Sequence, residues 1–485
     1  MSDTFDVVVV GSGSSGGAVA ARLSEDEGCR LLLLEAGPDF PDEELVPPSF
    51  MSGGAILGER GSGTGAPVPA YDWGLRSETL ANGQTLPLAR ARMVGGTSMI
   101  NGSVAVRGRP EDYERWVAAG AEGWSFEALL PVFERVEELL RVSIYPRERW
   151  LPVQELLTEA WLELGFRWHD DLNAPDAWDD VVGPWPRSRH NETRMGSLNT
   201  YIRAARRRPN FTLRADALVD RVELTDGRVT GVRYLDAARQ PQVVHAGEVV
   251  LSAGAYGSAP ILLRSGIGPA ADVRALGLDP VADLPVGREL MDHPSLPLLL
   301  DIDPEYALMG WPQLAAVARG DGWWGIPMSY DQERSQILIG FCLATVAGPE
   351  GGAVTVASPD PTALPVVHHG FQAAIDGGVF DGILEAGERL LGTQTMRAAH
   401  ARDLAAGTDR RARMMGSVRT GTHPAGGCAI GKVVDPDLRV LGVEGLRVAD
   451  ASVFPLHVTN NPNLTCHVVG EIAAARILQA AVVAA

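Results

Sequence analysis

The chain has 485 residues, of which 42 are basic and 61 acidic, and its formal net charge is −19. This excess of negative charge repels nucleic acid and anionic membranes, which excludes polyanion binding as the main function. Lys432 is the only lysine, so Schiff-base chemistry has a single, unsupported candidate. The length allows two or three domain-sized units, and we expect a globular protein of enzyme size.

The cysteines and the first residues bear on the compartment. Cys29, Cys342, Cys428 and Cys466 form no CxxC pair and have no metal-ligand spacing, so we expect no metal site and no disulfide framework. The chain enters an apolar run directly after MSDTFD without a basic leader, and no apolar run reaches about 18 residues. We therefore expect a cytoplasmic protein without a membrane span.

The first residues predict a β-turn-α-β unit. Val7–Val10 is a continuous β-branched run, GSGSSGG follows it, and AVAARLSEDE has helical spacing. Leu31–Leu34 is a second apolar run, and it ends at Glu35. Both runs are typical of strands buried in a parallel sheet. The next stretch, 37–89, is rich in glycine, proline and serine, and we expect irregular backbone there with a functional or covering role.

The rest of the chain alternates helical and strand-like patterns. Helical spacing occurs at Asp112–Leu140, at Val153–Leu164 and in the alanine-rich Val468–Val483. Residues 294–358 combine strand-like pieces with several aromatic residues. The pattern as a whole predicts one nucleotide-binding domain interrupted by a second, sheet-containing part. Further strands are predicted at Phe211–Leu213, Ala217–Leu224, Val229–Tyr234, Val243–Leu251 and Leu446–Val448.

The segment GSGSSG has the glycine spacing of a dinucleotide-binding turn. Gly11 allows the tight turn after the strand, Gly13 lets the backbone approach a pyrophosphate, and Gly16 lets the helix pack on the strand. The phosphates would lie at the helix N-terminus, where free N–H groups and the helix dipole favour anions. Glu35, at the end of the second strand, stands where a ribose-binding acid belongs. The predicted contacts in this unit are Gly11, Gly13, Ser15, Gly16, Glu35 and Ala36.

Two later segments decide between NAD and FAD. The chain leaves the sheet for a long irregular segment, which favours FAD because an extended cofactor needs contacts far apart in sequence. ARMVGGTSMING, at 91–102, offers paired glycines and polar side chains for such contacts, although a helix-capping loop would look the same. GLRVADAS places Asp450 at the end of a short strand, where it can hold a ribityl hydroxyl or simply end the strand.

These segments together resemble the glucose-methanol-choline (GMC) family of FAD oxidoreductases. The resemblance implies an α/β fold with a Rossmann-like FAD-binding domain and an inserted substrate domain built on an antiparallel sheet with helices. It implies FAD-binding parts at 1–150, 191–293 and 416–485, the last with active-site residues, and substrate-domain parts at 151–190 and 294–415. The matching segments are GSGSSGGAVAARL…LLLLEAG, ARMVGGTSMING, SAGAYGSAPILLRSGIG, LPVGRELMDHP and GTHPAGGCAIG…VVDPDLRVLGVEGLRVADASVFPLHVTNNPNLT.

The resemblance also implies oxidation of a small-molecule alcohol to an aldehyde or ketone. His423 matches the family's active-site histidine, and Asn461 matches a partner position that holds histidine in some branches and asparagine in others. This His/Asn pair is similar to the choline oxidase and hydroxymethylfurfural oxidase branches. A base that titrates near neutral pH can take the hydroxyl proton while a hydride leaves the carbon. The further cofactor contacts assigned in this way are Arg92, Gly95, Gly96, Ser98, Asn101, Gly102, Val219, Ala253, Asp450, Ala451 and Pro462.

One departure from the family bears on the cofactor. Ile100 stands where choline oxidase has the histidine that tethers its flavin, so we expect FAD to bind without a covalent link. The region 294–415 shows the least similarity, which leaves the alcohol unidentified. The electron acceptor is either oxygen or a redox partner, and homo-oligomerisation is left open.

Two rival reaction classes remain open from the sequence. One is a dehydrogenase that passes electrons to a quinone, a respiratory partner or mycofactocin, and the other is a flavin-containing lyase acting on cyanohydrins. Other chemistry-bearing side chains are expected to be structural. His293 is expected to cap or pack a turn, Cys428 to be unreactive, and His457 and His467 to lie in the core or behind the residues that contact substrate. An aromatic group is expected to be core, with a pocket lining or a cation-binding cage as the alternative: Trp311, Trp323, Trp324 and Tyr330.

Overall fold

The computed structural model describes residues 4–51, 69–306, 315–329, 336–343, 351–378 and 380–484. The strands, in chain order, are β1 (Thr4–Val10), β2 (Leu31–Leu34), β3 (Leu75–Thr79), β4 (Thr85–Leu88), β5 (Val142–Ser143), β6 (Arg167–Trp168), β7 (Val181–Pro184), β8 (Arg187–His190), β9 (Thr193–Arg194), β10 (Phe211–Arg214), β11 (Leu218–Thr225), β12 (Arg228–Leu235), β13 (Pro241–Leu251), β14 (Pro294–Asp301), β15 (Ala316–Gly320), β16 (Trp323–Ser329), β17 (Gln336–Leu343), β18 (Ala353–Thr355), β19 (Val366–His368), β20 (Arg402–Asp403), β21 (Arg419–Thr420) and β22 (Leu446–Val448).

The α-helices are mostly short. In chain order they are α1 (Ser14–Leu23), α2 (Pro48–Met51), α3 (Pro110–Ala118), α4 (Phe126–Leu139), α5 (Pro152–Glu163), α6 (Arg203–Ala205), α7 (Ser258–Arg264), α8 (Ala270–Ala275), α9 (Phe371–Asp376), α10 (Asp381–Leu391), α11 (Gln394–Ala398), α12 (Arg410–Ser417) and α13 (Asn463–Ala484).

The first sheet contains the predicted nucleotide-binding unit. Its parallel part has the order β10-β2-β1-β13-β22. The first half of β13 also pairs with the antiparallel strand β12, and β12 pairs with β11. The strand residues of β2 are all buried, as the continuous apolar run predicted. Because β1, β2, β13 and β22 are parallel, their carboxyl ends meet at one edge, where ligands of open α/β sheets bind.

The second sheet is mainly antiparallel and has eight strands. Its order is β20-β14-β17-β16-β15-β7-β6, with β21 also paired to β14. The strands therefore come from 167–184, 294–343 and 402–420. Leu296, Leu298 and Leu300 of β14 point away from the first sheet into a separate apolar core. The antiparallel strands predicted in 294–358 are confirmed, whereas the exact limits of the two domains stay a prediction.

Two predictions about elements were wrong. The helical pattern Asp112–Leu140 forms two helices, because Gly120 adopts φ +103° after α3 and Ser125 then caps α4 by accepting a hydrogen bond from the Ala128 N–H. The predicted irregular stretch contains the hairpin β3–β4, whose turn includes Asn82 and Gly83. Part of that stretch, 52–68, lies outside the described residues.

Candidate active site

One large cavity, of about 1790 Å³, runs along the carboxyl edge of the first sheet and under the second sheet. It is larger than the few hundred to about 1000 Å³ that a single small ligand needs, so it has room for a dinucleotide and a substrate together. Both predicted catalytic residues, His423 and Asn461, line it. The predicted cofactor contacts that line it are Gly11, Gly13, Ser15, Glu35, Ala36, Arg92, Gly96, Asn101, Gly102, Val219, Ala253, Asp450, Ala451 and Pro462.

The glycine turn after β1 fits a pyrophosphate-binding role. A Cβ on Gly16 would lie 1.9 Å from the carbonyl oxygen of Gly11, and one on Gly11 would lie 2.5 Å from the carbonyl oxygen of Ser252. Gly16 therefore acts in packing and does not line the cavity. A Cβ on Gly13 would meet no protein atom within 4 Å, because this residue faces the cavity at the N-terminus of α1. The turn thus leaves an open backbone surface for an anion.

Glu35 is buried at the end of β2 and is held by the same turn. Its Oε2 accepts hydrogen bonds from the Ser12 N–H (3.1 Å) and hydroxyl (2.6 Å), and its Oε1 accepts one from the Gly37 N–H (2.9 Å). Burial raises the pKa of Glu35, and these hydrogen bonds oppose the shift. A carboxylate fixed in this way beside the turn has the placement required of a ribose-binding acid.

The segment at 91–102 packs directly against the glycine turn. The Gly95 N–H donates to the Ser12 hydroxyl (3.0 Å), and a Cβ on Gly96 would lie 3.0 Å from the Cα of Gly13. Gly95 has φ +95°, and the Ser98 hydroxyl donates to its carbonyl oxygen (2.7 Å). Gly95 and Ser98 therefore support the loop and do not line the cavity, whereas Gly96 does.

Asp450, just after β22, accepts hydrogen bonds from two backbone N–H groups and one hydroxyl. Its Oδ2 accepts from the Gly254 N–H (2.8 Å) and the Ser258 hydroxyl (2.6 Å), and its Oδ1 accepts from the Ser452 N–H (2.7 Å). Burial raises the pKa of Asp450, and the hydrogen bonds oppose the shift. Since a carboxylate offers about four lone pairs, acceptor capacity remains for a hydroxyl in the cavity.

His423 and Asn461 form a pair on the cavity wall. The Nδ2 atom of Asn461 lies 2.8 Å from the Nε2 atom of His423. The His423 backbone N–H donates to Asp292 Oδ1 (2.8 Å), and the His457 ring Nε2 donates to the His423 carbonyl oxygen (2.6 Å). The loop that carries His423 is therefore fixed from two sides, and the imidazole faces the cavity.

His293 contacts the other ring nitrogen of His423. His293 Nε2 lies 3.0 Å from the Val458 carbonyl oxygen, which can only accept, so this nitrogen carries the proton. A neutral His293 then has a bare Nδ1, which lies 3.2 Å from the Nδ1 of His423. His423 must donate here, which leaves the lone pair on its Nε2 and matches a donating Asn461 amide.

Burial keeps this cluster uncharged at neutral pH. Burial lowers the pKa of His423 well below 6.5, and the nearby His457 and Arg90 act in the same direction. Burial also lowers the pKa of His293 well below 6.5, with His457 and His423 adding to the effect. His423 is therefore a neutral imidazole whose Nε2 lone pair can accept a proton, which is the state a general base requires.

Sequence reasoning missed the part that Asp292 and His293 take in this site. Asp292 is buried, and its Oδ1 accepts hydrogen bonds from the His293 and His423 backbone N–H groups, while Thr420 donates its hydroxyl to Oδ2. His293 was expected to cap or pack a turn, but it lies against the His423 ring. The motif LMDHP was the available signal, although nothing in it indicates contact with a loop far along the chain.

The remaining predicted residues divide between the cavity wall and the core. Trp324 lines the cavity, with its ring centroid 6.2 Å from that of His423, whereas Trp323 packs on Trp161 in the second core. His467 is fully buried against the ring of Tyr201. Cys428 is buried, and burial raises the pKa of its thiol. Ile100 lines the cavity. Trp311 and Tyr330 lie outside the described residues.

Two structural properties of the described part of the chain concern metal ions and membranes. It contains no group of three or more histidine, cysteine, aspartate or glutamate side chains placed to hold a metal ion. None of its helices is both long and apolar enough to cross a membrane.

Comparison with known proteins identifies the family. The profile described as GMC oxidoreductase matches residues 5–295, and its C-terminal counterpart matches residues 349–470. An oxygen-dependent choline dehydrogenase from Brucella melitensis is 30% identical, over 98% of this chain and 95% of the relative. One from Sinorhizobium medicae is 29% identical over the same shares.

Solved structures agree with this assignment. A pyridoxine 4-oxidase from Mesorbium loti has 26% identity and a TM-score of 0.86, covering 98% of this chain and 99% of the other. A formate oxidase from Aspergillus oryzae, at 21% identity, has a TM-score of 0.87, covering 99% and 98%, and supports the fold alone. With family matches over most of its length, the chain belongs to the GMC oxidoreductases and is an FAD-dependent alcohol oxidoreductase.

Proposed function

We propose that this enzyme oxidises an alcohol with His423 as the general base and Asn461 as its hydrogen-bonding partner. The observation that carries the proposal is the placement of His423, which lines the cavity with its Nδ1 3.2 Å from His293 Nδ1 and its Nε2 2.8 Å from the Asn461 amide nitrogen. When bound, FAD supplies the oxidant that takes a hydride from the alcohol carbon. The chain's own part is to bind the alcohol, remove its hydroxyl proton and exclude water.

Asn461 would bind the alcohol oxygen without competing for its proton. The Oδ1 atom of Asn461 is buried and has no hydrogen-bond partner among the described residues, while its Nδ2 donates toward His423. When an alcohol enters, its hydroxyl can donate to His423 Nε2 in place of the amide, and the amide N–H can turn to the alcohol oxygen. The developing alkoxide would then have a donor already in place.

The residues proposed to hold FAD are those described above along the cavity. The backbone of Gly13 faces the pyrophosphate position, Glu35 the ribose position, and Asp450 the ribityl position. Val219, on β11, also lines the cavity, and we propose that the adenine lies beside it. Ile100 carries no nucleophile, so we propose that FAD is held without a covalent bond.

Oxygen is the proposed electron acceptor. The relatives from Brucella and Sinorhizobium are named oxygen-dependent, and the similar pyridoxine enzyme is named an oxidase. A proton retained on His423 after oxidation of the alcohol would stabilise negative charge near the place where oxygen reacts. Cys29, Cys428 and Cys466 are free thiols, which fits the reducing cytoplasm as the proposed location.

The experiment that tests the proposal is anaerobic mixing of the purified holoenzyme with a panel of alcohols. Bleaching of the flavin absorbance by at least one alcohol is expected, and admission of air should restore the absorbance with formation of peroxide. Bleaching at an unchanged rate in His423→Ala would contradict the role of His423. Bleaching that is reversed by a dye but not by air would reject oxygen as the acceptor and favour the dehydrogenase alternative.

A further inference from the structure

The second sheet covers the His423 end of the cavity with one of its faces. Alternate residues of β14, namely Ser295, Pro297 and Leu299, line the cavity, and so do the alternate residues Trp324 and Ile326 of β16. Because side chains two apart on a strand share a face, this face of the sheet forms the roof above the substrate space. Its composition therefore bears directly on what the enzyme accepts.

Among the described residues of the second sheet, Arg419 is the charged residue that lines the cavity. It lies directly opposite Ser295 in the antiparallel pair β14–β21, so the two side chains share the cavity face, and Arg419 itself lines the cavity. It is only four residues before His423 in sequence, which limits the Cα–Cα separation to about 14 Å. A guanidinium at this position can reach the far end of a small alcohol whose hydroxyl is bound at His423.

The guanidinium of Arg419 has no acidic partner in the described part of the chain. Its hydrogen bond goes to the neighbouring Val418 carbonyl oxygen (2.8 Å), which leaves most of its five N–H donors for other groups. Arg90, a second cation of the cavity wall, donates to the Thr422 carbonyl oxygen (2.6 Å), and its charge acts on His423. Both cations therefore flank the loop that carries the base.

The carboxylates that line the cavity do not offset Arg419. Glu35 accepts a hydrogen bond from the Ser12 backbone N–H, and Asp450 accepts one from the Gly254 backbone N–H. Asp216 lies just before β11 and Asp236 just after β12, in the first sheet. Asp72 accepts a hydrogen bond from the Arg90 backbone N–H (3.3 Å). Among the described lining residues, none of the acids comes from the second sheet. A quaternary ammonium group placed under this roof would meet a cation without a compensating carboxylate.

We propose that Arg419 makes this enzyme selective for alcohols that carry an oxyanion, such as a carboxylate, and against cationic alcohols such as choline. Arginine pairs with a carboxylate through two parallel N–H···O bonds, which also fixes the direction of the bound molecule. The inference rests on the proposed function, since it assumes that the alcohol is oxidised at His423. It predicts a different class of substrate from that in the names of the Brucella and Sinorhizobium relatives, which are named for choline.

The test compares three probes of similar size: 4-hydroxybutanoate, the neutral 3,3-dimethylbutan-1-ol, and choline. Anaerobic flavin reduction is measured for the wild type, Arg419→Gln, Arg419→Lys and the charge reversal Arg419→Glu. Arg76→Gln is the matched control, because Arg76 also lines the cavity but is exposed at its mouth and bonded to Thr85. Isothermal titration with butanoate, and with choline, gives a readout that needs no turnover.

The wild type is expected to prefer the anion, and Arg419→Gln to lose about 10- to 100-fold in kcat/KM for it while the neutral alcohol changes less than about threefold. Arg419→Lys should retain part of the preference, and Arg419→Glu should favour choline. Butanoate binding should weaken in the variants in the same order as kcat/KM for the anion, and high salt should weaken butanoate binding to the wild type. An anion-to-neutral ratio or butanoate affinity that does not depend on Arg419 would overturn this inference. If no alcohol reduces the flavin while butanoate binding still requires Arg419, the proposed function fails and the anion site stands.

Discussion

His423 Nδ1 lies 3.2 Å from His293 Nδ1, and the Val458 carbonyl oxygen beyond His293 fixes which of the two rings donates. The consequence is that the tautomer of the proposed base depends on His293, which is not among the residues that line the cavity. On the other side of the His423 ring, the Asn461 amide nitrogen then donates to the lone pair of His423 Nε2. The arrangement prepares His423 to accept a proton from an alcohol.

Replacing His423 by alanine should slow flavin reduction by about 10²- to 10⁴-fold, which is the usual effect of removing a general base. The fold and the amount of bound flavin should be unchanged, because the residues proposed to hold FAD lie in other segments of the chain. Stopped-flow absorbance under anaerobic conditions measures the rate, and the flavin-to-protein absorbance ratio is the control. Asn461→Ala should have a smaller effect, since it leaves the base in place.

His293 offers a matched pair of substitutions. His293→Asn places an amide oxygen where Nδ1 lies and can still accept the His423 proton, whereas His293→Leu cannot. We expect roughly a tenfold or larger fall in kcat for leucine, a smaller fall for asparagine, and little change in KM for either. The tautomer itself can be read from the ¹⁵N chemical shifts of His423. Equal kcat values for the two variants would contradict a role for His293 in setting that tautomer.

The pH dependence of kcat/KM follows from the direction of the His423 shift. Its pKa is lowered well below 6.5 by burial, so the free enzyme holds a neutral base throughout the neutral range. The rate should therefore stay level from about pH 8 down to 6.5 and decline only as the pH falls through the lowered pKa. A profile that loses half its activity at pH 6.5 or above would show that His423 is not buried in the working enzyme.

Local sequence patterns predicted the first β-turn-α unit better than the contacts around His423. The strand, glycine turn and helix from Thr4 to Leu23 are specified by neighbouring residues, so their order is readable directly. The hairpin β3–β4 was missed although its Asn82-Gly83 turn is a known hairpin signal. His293 and Asp292 could not be assigned, because their partner His423 is brought to them only when β14 pairs with β21. Such contacts depend on sheet pairing and leave no local trace.

Two glycines of the same turn should respond differently to alanine. A Cβ on Gly16 would lie 1.9 Å from the Gly11 carbonyl oxygen, so Gly16→Ala should displace α1 and destabilise the fold by about 1–3 kcal/mol. A Cβ on Gly13 has open space and an ordinary φ of −65°, so Gly13→Ala should fold normally and bind FAD about tenfold or more weakly. Urea denaturation of the apoprotein and a flavin titration separate the two effects, and identical behaviour of the variants would refute this distinction.

The stability of the protein at acid pH should depend on His467. This ring is fully buried and stacked on Tyr201, and neither nitrogen has a hydrogen-bond partner of good geometry among the described residues. Burial lowers its pKa to about 3, and the nearby Ser14 backbone opposes the shift only in part. Between that value and the ordinary 6.5 the unfolded chain binds a proton that the folded chain does not, so stability is complete above pH 6.5 and is lost as the pH falls toward 3. His467→Phe keeps the stacked ring without the titrating group.

The urea midpoint of the wild type should fall between pH 7.5 and pH 5, and that of His467→Phe should fall less. Both proteins are compared at equal ionic strength, with His190→Phe, which alters an exposed histidine, as the control. At pH 7.5 the variant should be about as stable as the wild type, because replacing an unpaired buried polar ring by an apolar one of similar shape is nearly neutral or stabilising. If the urea midpoints of the wild type and His467→Phe fall by the same amount on acidification, protonation of His467 is not what destabilises the fold. The acid sensitivity would then be assigned to the other buried histidines, His293 and His423.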